Sequence, residues 1–114
     1  MVPVVLDEAF NTWWSFQSEA LQNTLAACLE ILEEDWPDVP WPLVVPVPQS
    51  RHAAMYALQP AFSGVRCAFA HEANAQRLVV LLADDSRNER QWAEVTITSA
   101  DDLYDEWRTT QGLP

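Results

Sequence analysis

The sequence contains no lysine, only two cysteines, and no long uncharged apolar run. Without lysine, the fixed cations are six arginines set against 17 aspartates and glutamates, for a formal net charge of −11. Such a field repels a phosphate backbone and attracts a basic partner, so direct nucleic-acid binding is not expected. The same charge also serves simply to keep a protein soluble. Cys28 and Cys67 each lie in an apolar stretch, which suits buried free thiols in a reducing compartment better than a disulfide framework. His52 and His71 are the only histidines, and with no CxxC or HxxxH spacing neither a metal site nor a cofactor is expected. No window reaches the roughly 18 apolar residues of a membrane span. The first six residues carry no basic lead-in and are followed by Asp7 and Glu8, unlike a signal peptide. The expectation is a cytoplasmic protein.

What is present patterns clearly. At 114 residues and 49% hydrophobic, the chain is sized for a single domain over 1–114. Residues 2–6 read as a short strand, and Asp7 offers a cap for a helix whose inner face is Phe10, Trp13, Trp14 and Phe16. Ser18 caps a second helix, in which Leu21, Leu25, Cys28, Leu29 and Leu32 fall on one face. Its last turn carries Glu30, Glu33, Glu34 and Asp35, the wrong sign for a helix C-terminus at a cost of a few tenths of a kcal/mol per charge, roughly. Residues 36–48 hold five prolines and no glycine, so no helix or central strand can pass through them and they form a stiff extended connection.

Strand patterns then recur at 53–58, 65–70 and 78–83, separated by turn-length segments that suit an antiparallel meander. Residues 91–97 fit either a strand or an irregular helix. Ser99 and Asp102 form a capping pattern ahead of Leu103, Tyr104 and Trp107, one face of a C-terminal helix. The order describes an α+β fold in which an N-terminal strand, two helices and a C-terminal helix accompany an antiparallel meander, with the helices on one side of the sheet. Six tryptophans invite a base-stacking reading, but the interleaved basic residues that go with it are missing. Trp13, Trp14 and Trp107 suit the core. Trp36 and Trp41 on the proline segment, with Tyr56, are candidates for a protein interface, although a proline segment folded over the core would account for them as well.

Several strings, in order, resemble the phage-derived HigB-like branch of the RelE/ParE toxin superfamily. They are Phe10, Trp13 and Trp14; Ser50, Arg51, His52, Met55 and Leu58; Arg66; the run 78–82; and Ala100 to Glu106, ADDLYDE. The resemblance implies a RelE-like fold, metal-independent cleavage of mRNA on the ribosome, and neutralisation by an antitoxin. On that implication Arg51, His52, Arg66 and Arg87 are the candidate catalytic residues, since a histidine with arginine neighbours can perform acid/base work on a phosphodiester. The competing role for these residues is structural, in backbone hydrogen bonds for His52 and in carboxylate pairs for the arginines.

The chain also departs from the family pattern. Gln59 replaces the arginine of E-L-R, Phe69 a tyrosine, and Asp85 the lysine of G-D-K. Removing one preorganised donor can cost about 10²- to 10³-fold in rate. These departures make an inactive, acidic inhibitory module the leading expectation, a nucleic-acid mimic for a basic nucleic-acid-handling partner such as a phage inhibitor of a defence complex, for example an anti-CRISPR. Its partner-binding residues would be Asp84, Asp85, Glu33, Glu34, Asp35, Trp36, Trp41 and Tyr56. The alternative is a type II toxin, an mRNA interferase with antitoxin and ribosome as partners.

Overall fold

A computed structural model describes residues 1–85 and 87–111. Five strands form one sheet in the order β1-β5-β4-β3-β2. They are β1 (Val4–Leu6), β2 (Val44–Pro46), β3 (Met55–Leu58), β4 (Arg66–Glu72) and β5 (Arg77–Asp84). β3, β4 and β5 make the expected meander, while β1 adds in parallel to β5 and β2 adds antiparallel to β3. The proline segment therefore contributes a strand, but only three residues long and at the sheet edge, with Pro46 as its last residue. An edge tolerates the missing N–H of proline where a central strand does not.

The helices α1 (Glu8–Ser15) and α2 (Glu19–Asp35) begin at the caps the sequence supplies. Ala9 N donates to Asp7 Oδ2 at 2.9 Å and Leu21 N to Ser18 Oγ at 3.2 Å. Phe10 is fully buried, whereas Phe16, expected on the same face, is exposed because the helix has ended one residue before it.

The C-terminal helical region departs from expectation at two points. First, residues 91–97 are helical, in a continuous run of α3 (Glu89–Gln91), a wide π-helical turn (Trp92–Thr96) and α4 (Ile97–Thr110). The run is capped by Asn88, whose side chain accepts from Arg90 N and Gln91 N, so Ser99 lies inside the helix and caps nothing. Second, the helices do not share one side of the sheet. Leu58, Cys67, Phe69, Leu78 and Val80 pack with Phe10, Leu25 and Leu32 of α1 and α2. Met55, Ala57, Ala68, Ala70 and Val79 face the other way, onto Trp92, Ile97, Ala100 and Tyr104. Successive strand residues alternate between the two sets, as a pleated sheet buried on both faces requires. A register shift between Ala68 and Phe69 leaves Leu81 as an extra residue in β5, so Leu81 and Leu82 both turn toward α4.

Among the described residues no helix is long and apolar enough to cross a membrane. Cys28 and Cys67 are free thiols.

Candidate functional site

The proposed catalytic residues fall at two ends of the sheet. Arg51 and His52 precede β3, at the end where His71 N donates to Ala54 O. There they clamp α4. Arg51 pairs with Asp102 at 3.0 Å and with Asp105, and His52 Nε2 lies 2.9 Å from Asp105. Asp101, 4% exposed, accepts from Ser50 Oγ at 2.5 Å and from Arg51 N at 3.1 Å. The hydrogen bonds and charge of Arg51, with a smaller contribution from His52, hold the Asp105 carboxyl below its ordinary range. The same hydrogen bonds push the Arg51 guanidinium up. These carboxylates come from the ADDLYDE string, so the second and last parts of the resemblance meet in space.

Arg66 and Arg87 lie at the other end, roughly 15–20 Å away at about 3.3 Å per strand residue from Arg66 to His71. Arg66 opens β4 opposite Asp84, the last residue of β5. Its guanidinium stacks on the buried Trp92 ring at 4.4 Å and pairs with Glu89 at 2.9 Å, which fixes it. Arg87 follows β5 and passes Gly64, whose backbone is left-handed at φ +72°. A Cβ at Gly64 would sit 3.4 Å from the Arg87 Nε and Nη2 atoms. Gln59, Pro60, Gly64, Val65, Arg66, Arg87 and Glu89 line a cleft of about 250 Å³. A second cleft of about 250 Å³ shares Gln59, Arg66 and Glu89 and continues along the proline segment to Gln49. Two guanidinium groups and the carboxylate paired with Arg66, all lining one open cleft, can hold a phosphodiester and accept a proton beside it.

Two of the substitutions against the family pattern have evident structural roles. Gln59 Nε2 donates to Pro42 O at 2.9 Å and its N–H to Leu43 O at 2.8 Å, so this side chain ties the proline segment to β3. Phe69 is fully buried on the α1/α2 face, stacked on Tyr56 and edge-on to Trp36. A tyrosine hydroxyl there would lie in the core, so its absence removes nothing from the cleft.

The expected partner-binding residues are dispersed. Glu33, Glu34 and Asp35 end α2 beside Val2, whose N–H donates to Glu33 O at 2.9 Å, near the start of β5. Asp84 and Asp85 follow at the far end of that strand, where Asp84 accepts from Thr96 Oγ1 at 2.8 Å and Asp85 is exposed. Trp36 and Tyr56 are half-buried against each other at a centroid separation of 5.0 Å, and only Trp41 of these aromatics is widely exposed, at 79%. Glu89, Gly64 and Trp92 were not picked out in the sequence. Trp92 sits in the segment 91–97 whose strand or helix character the pattern left open and Glu89 just ahead of it, and neither has a spacing that announces it. Among the described residues no cluster of His, Cys, Asp and Glu is arranged to hold a metal ion.

This architecture is a RelE-like fold. The isolated Escherichia coli RelE toxin superposes with a TM-score of 0.58 over 84% of this chain and 96% of its own, at 16% identity. A chain of the E. coli RelBE toxin–antitoxin complex gives 0.56 over 77% of this chain and 100% of its own, at 15% identity. A chain of the RelBE2 toxin–antitoxin complex of Mycobacterium tuberculosis gives 0.54 over 76% of this chain, also at 15% identity. In sequence the chain is similar to two candidate toxins of M. tuberculosis. It is 29% identical to HigB2 over 102 residues, 87% of this chain but only 51% of HigB2, so it spans about half of that protein. It is 24% identical to HigB3 over 111 residues, 97% of this chain and 96% of HigB3. No family profile matches the chain.

Proposed function

We propose that this chain is a cytoplasmic toxin of the RelE/HigB kind, a single domain over 1–114 that is neutralised by an antitoxin and cuts RNA at the Arg66–Arg87 cleft. The observation that carries the reading is the end-to-end likeness to HigB3, a candidate toxin of nearly the same length. Arg66, held between Trp92 and Glu89, supplies a fixed cation for the phosphate, and Arg87 closes the other side. Glu89 takes the proton from a 2′-hydroxyl as its oxygen bonds to phosphorus. The P–O5′ bond breaks, and the leaving oxygen takes a proton from water. The product is a 2′,3′-cyclic phosphate, and no metal or cofactor takes part. Arg51 and His52 serve α4, away from this chemistry.

The inhibitor reading drew on the net charge of −11 and on the family cations replaced at Gln59 and Asp85, and it needs its acidic residues together on one face for the partner. The separation of Glu33–Asp35 from Asp84–Asp85 by roughly 20 Å, at about 3.3 Å per residue along β5, favours the toxin reading instead. The test is induced expression in a bacterial host with and without co-expression of a small antitoxin-like reading frame, taken from beside the gene where its genome carries one. Growth arrest relieved by that frame and by Arg66→Ala, with cleavage of single-stranded RNA by the purified protein, is the expected result. Unimpaired growth together with no cleavage would sink the proposal.

A further inference from the structure

We propose that Phe62 is a stacking platform for an unpaired nucleobase of single-stranded RNA whose phosphate lies on Arg66 and Arg87; this rests on the RNA reading above. The ring is wholly exposed, at 106%, on a backbone in the left-handed region at φ 62°, a conformation few residues other than glycine adopt. The turn that holds it is fixed. Ser63 N and Ser63 Oγ both donate to Pro60 O, at 3.4 and 2.8 Å, and Val65 N donates to Ser63 Oγ at 3.1 Å. Pro60 is buried. Phe62 is thus presented to solvent by a wired turn at a conformational cost.

Its position matters as much as its exposure. Pro60 and Gly64, two residues to either side, line the cleft with Arg66 and Arg87. Two residues span at most about 7 Å, the scale of one nucleotide. The cleft beside it is lined by Gln59, Arg66, Arg87 and Glu89 with only Pro60 and Val65 as apolar side chains, more polar and charged than the apolar ring that encloses a protein hot spot. A molecule of net charge −11 cannot hold RNA along an extended cationic track. Its affinity has to come from neutral contacts, and base stacking on an aromatic ring is the strongest of these, indifferent to which base is stacked.

The experiment measures anisotropy of a labelled, non-cleavable 2′-O-methyl RNA decamer with the full chain. Phe62→Ala is expected to weaken binding about tenfold or more, Phe62→Trp to preserve it, and Phe62→Gly to weaken it while raising Tm, because glycine relieves the left-handed strain. An abasic position that abolishes the difference between wild type and Phe62→Ala locates the contact on a base. No binding by the wild type would overturn both this inference and the RNA reading. Binding that Arg66→Ala weakens and Phe62→Ala leaves alone would overturn the stacking role only. Loss of antitoxin capture by Phe62→Ala with RNA binding unchanged would reassign the ring to a protein contact and overturn it too.

Discussion

Asp101 and Asp102 are neighbours with opposite burdens. Asp101 is 4% exposed and satisfies both Ser50 Oγ and Arg51 N, so Asp101→Ala strands those donors and should cost about 2–3 kcal/mol, read from the urea midpoint. Asp102, exposed, should cost no more than about 0.5 kcal/mol. Asp105 gives the clamp a pH dependence. Its carboxyl is held below its unfolded range by Arg51, so the stability it adds is present above the unfolded value of about 4 and is lost as pH falls through the lower folded value. Acid unfolding of Asp105→Asn should therefore begin from a lower plateau and show a shallower limb below pH about 4. Cys67 is fully buried and its thiol is pushed up to about 12 by desolvation and by Cys28. At pH 8 only about one molecule in ten thousand carries that thiolate, and alkylation of Cys67 should track global unfolding. Labelling at a rate independent of urea would contradict this burial.

The C-terminal helix sits on a floor of small residues. Ala57, Ala68 and Ala70 line the sheet face beneath Ile97, Ala100 and Tyr104 and let α4 approach closely. Ala68→Leu should overpack that layer and lower stability by about 1–3 kcal/mol in thermal melts. The opposite face takes Phe69 and Leu58 against α1 and α2. The caps at Asp7 and Ser18, the leucine face of α2 and the three meander strands were all legible, because each depends on residues close together in sequence. The side of the sheet that each helix takes was not. Ala68 and Phe69 are both apolar, and a strand buried on both faces shows no alternation of polar and apolar residues to reveal which helix lies over which face. The π-helical turn at Trp92–Thr96 blurred the helical period in the same way.

For the whole molecule, charge and site pull against each other. A net charge of −11 resists RNA, and two arginines on the cleft are the cations available to offset it. Each phosphate contact to a single strand contributes about −0.7 to the slope of log K against log salt, so two contacts predict a slope of about −1.4. A slope near −5 would show that many more cations touch the RNA than this cleft presents. Salt should also raise the chain's thermal stability by screening its self-repulsion.

The sequence alone determined the α+β class, the family likeness and the order of the main elements, though not β2 or the helical character of 91–97, since periodicity, caps and turn residues act over a few positions and survive without tertiary contacts. Only the tertiary structure decided which cations share a site. Arg51 and His52, adjacent to β3, were carried to the acids of α4, and Arg66 and Arg87, 21 positions apart, were brought to one cleft by the pairing of β4 with β5. It likewise separated two acidic clusters that composition had merged into one field, because a net charge has a sum but no location.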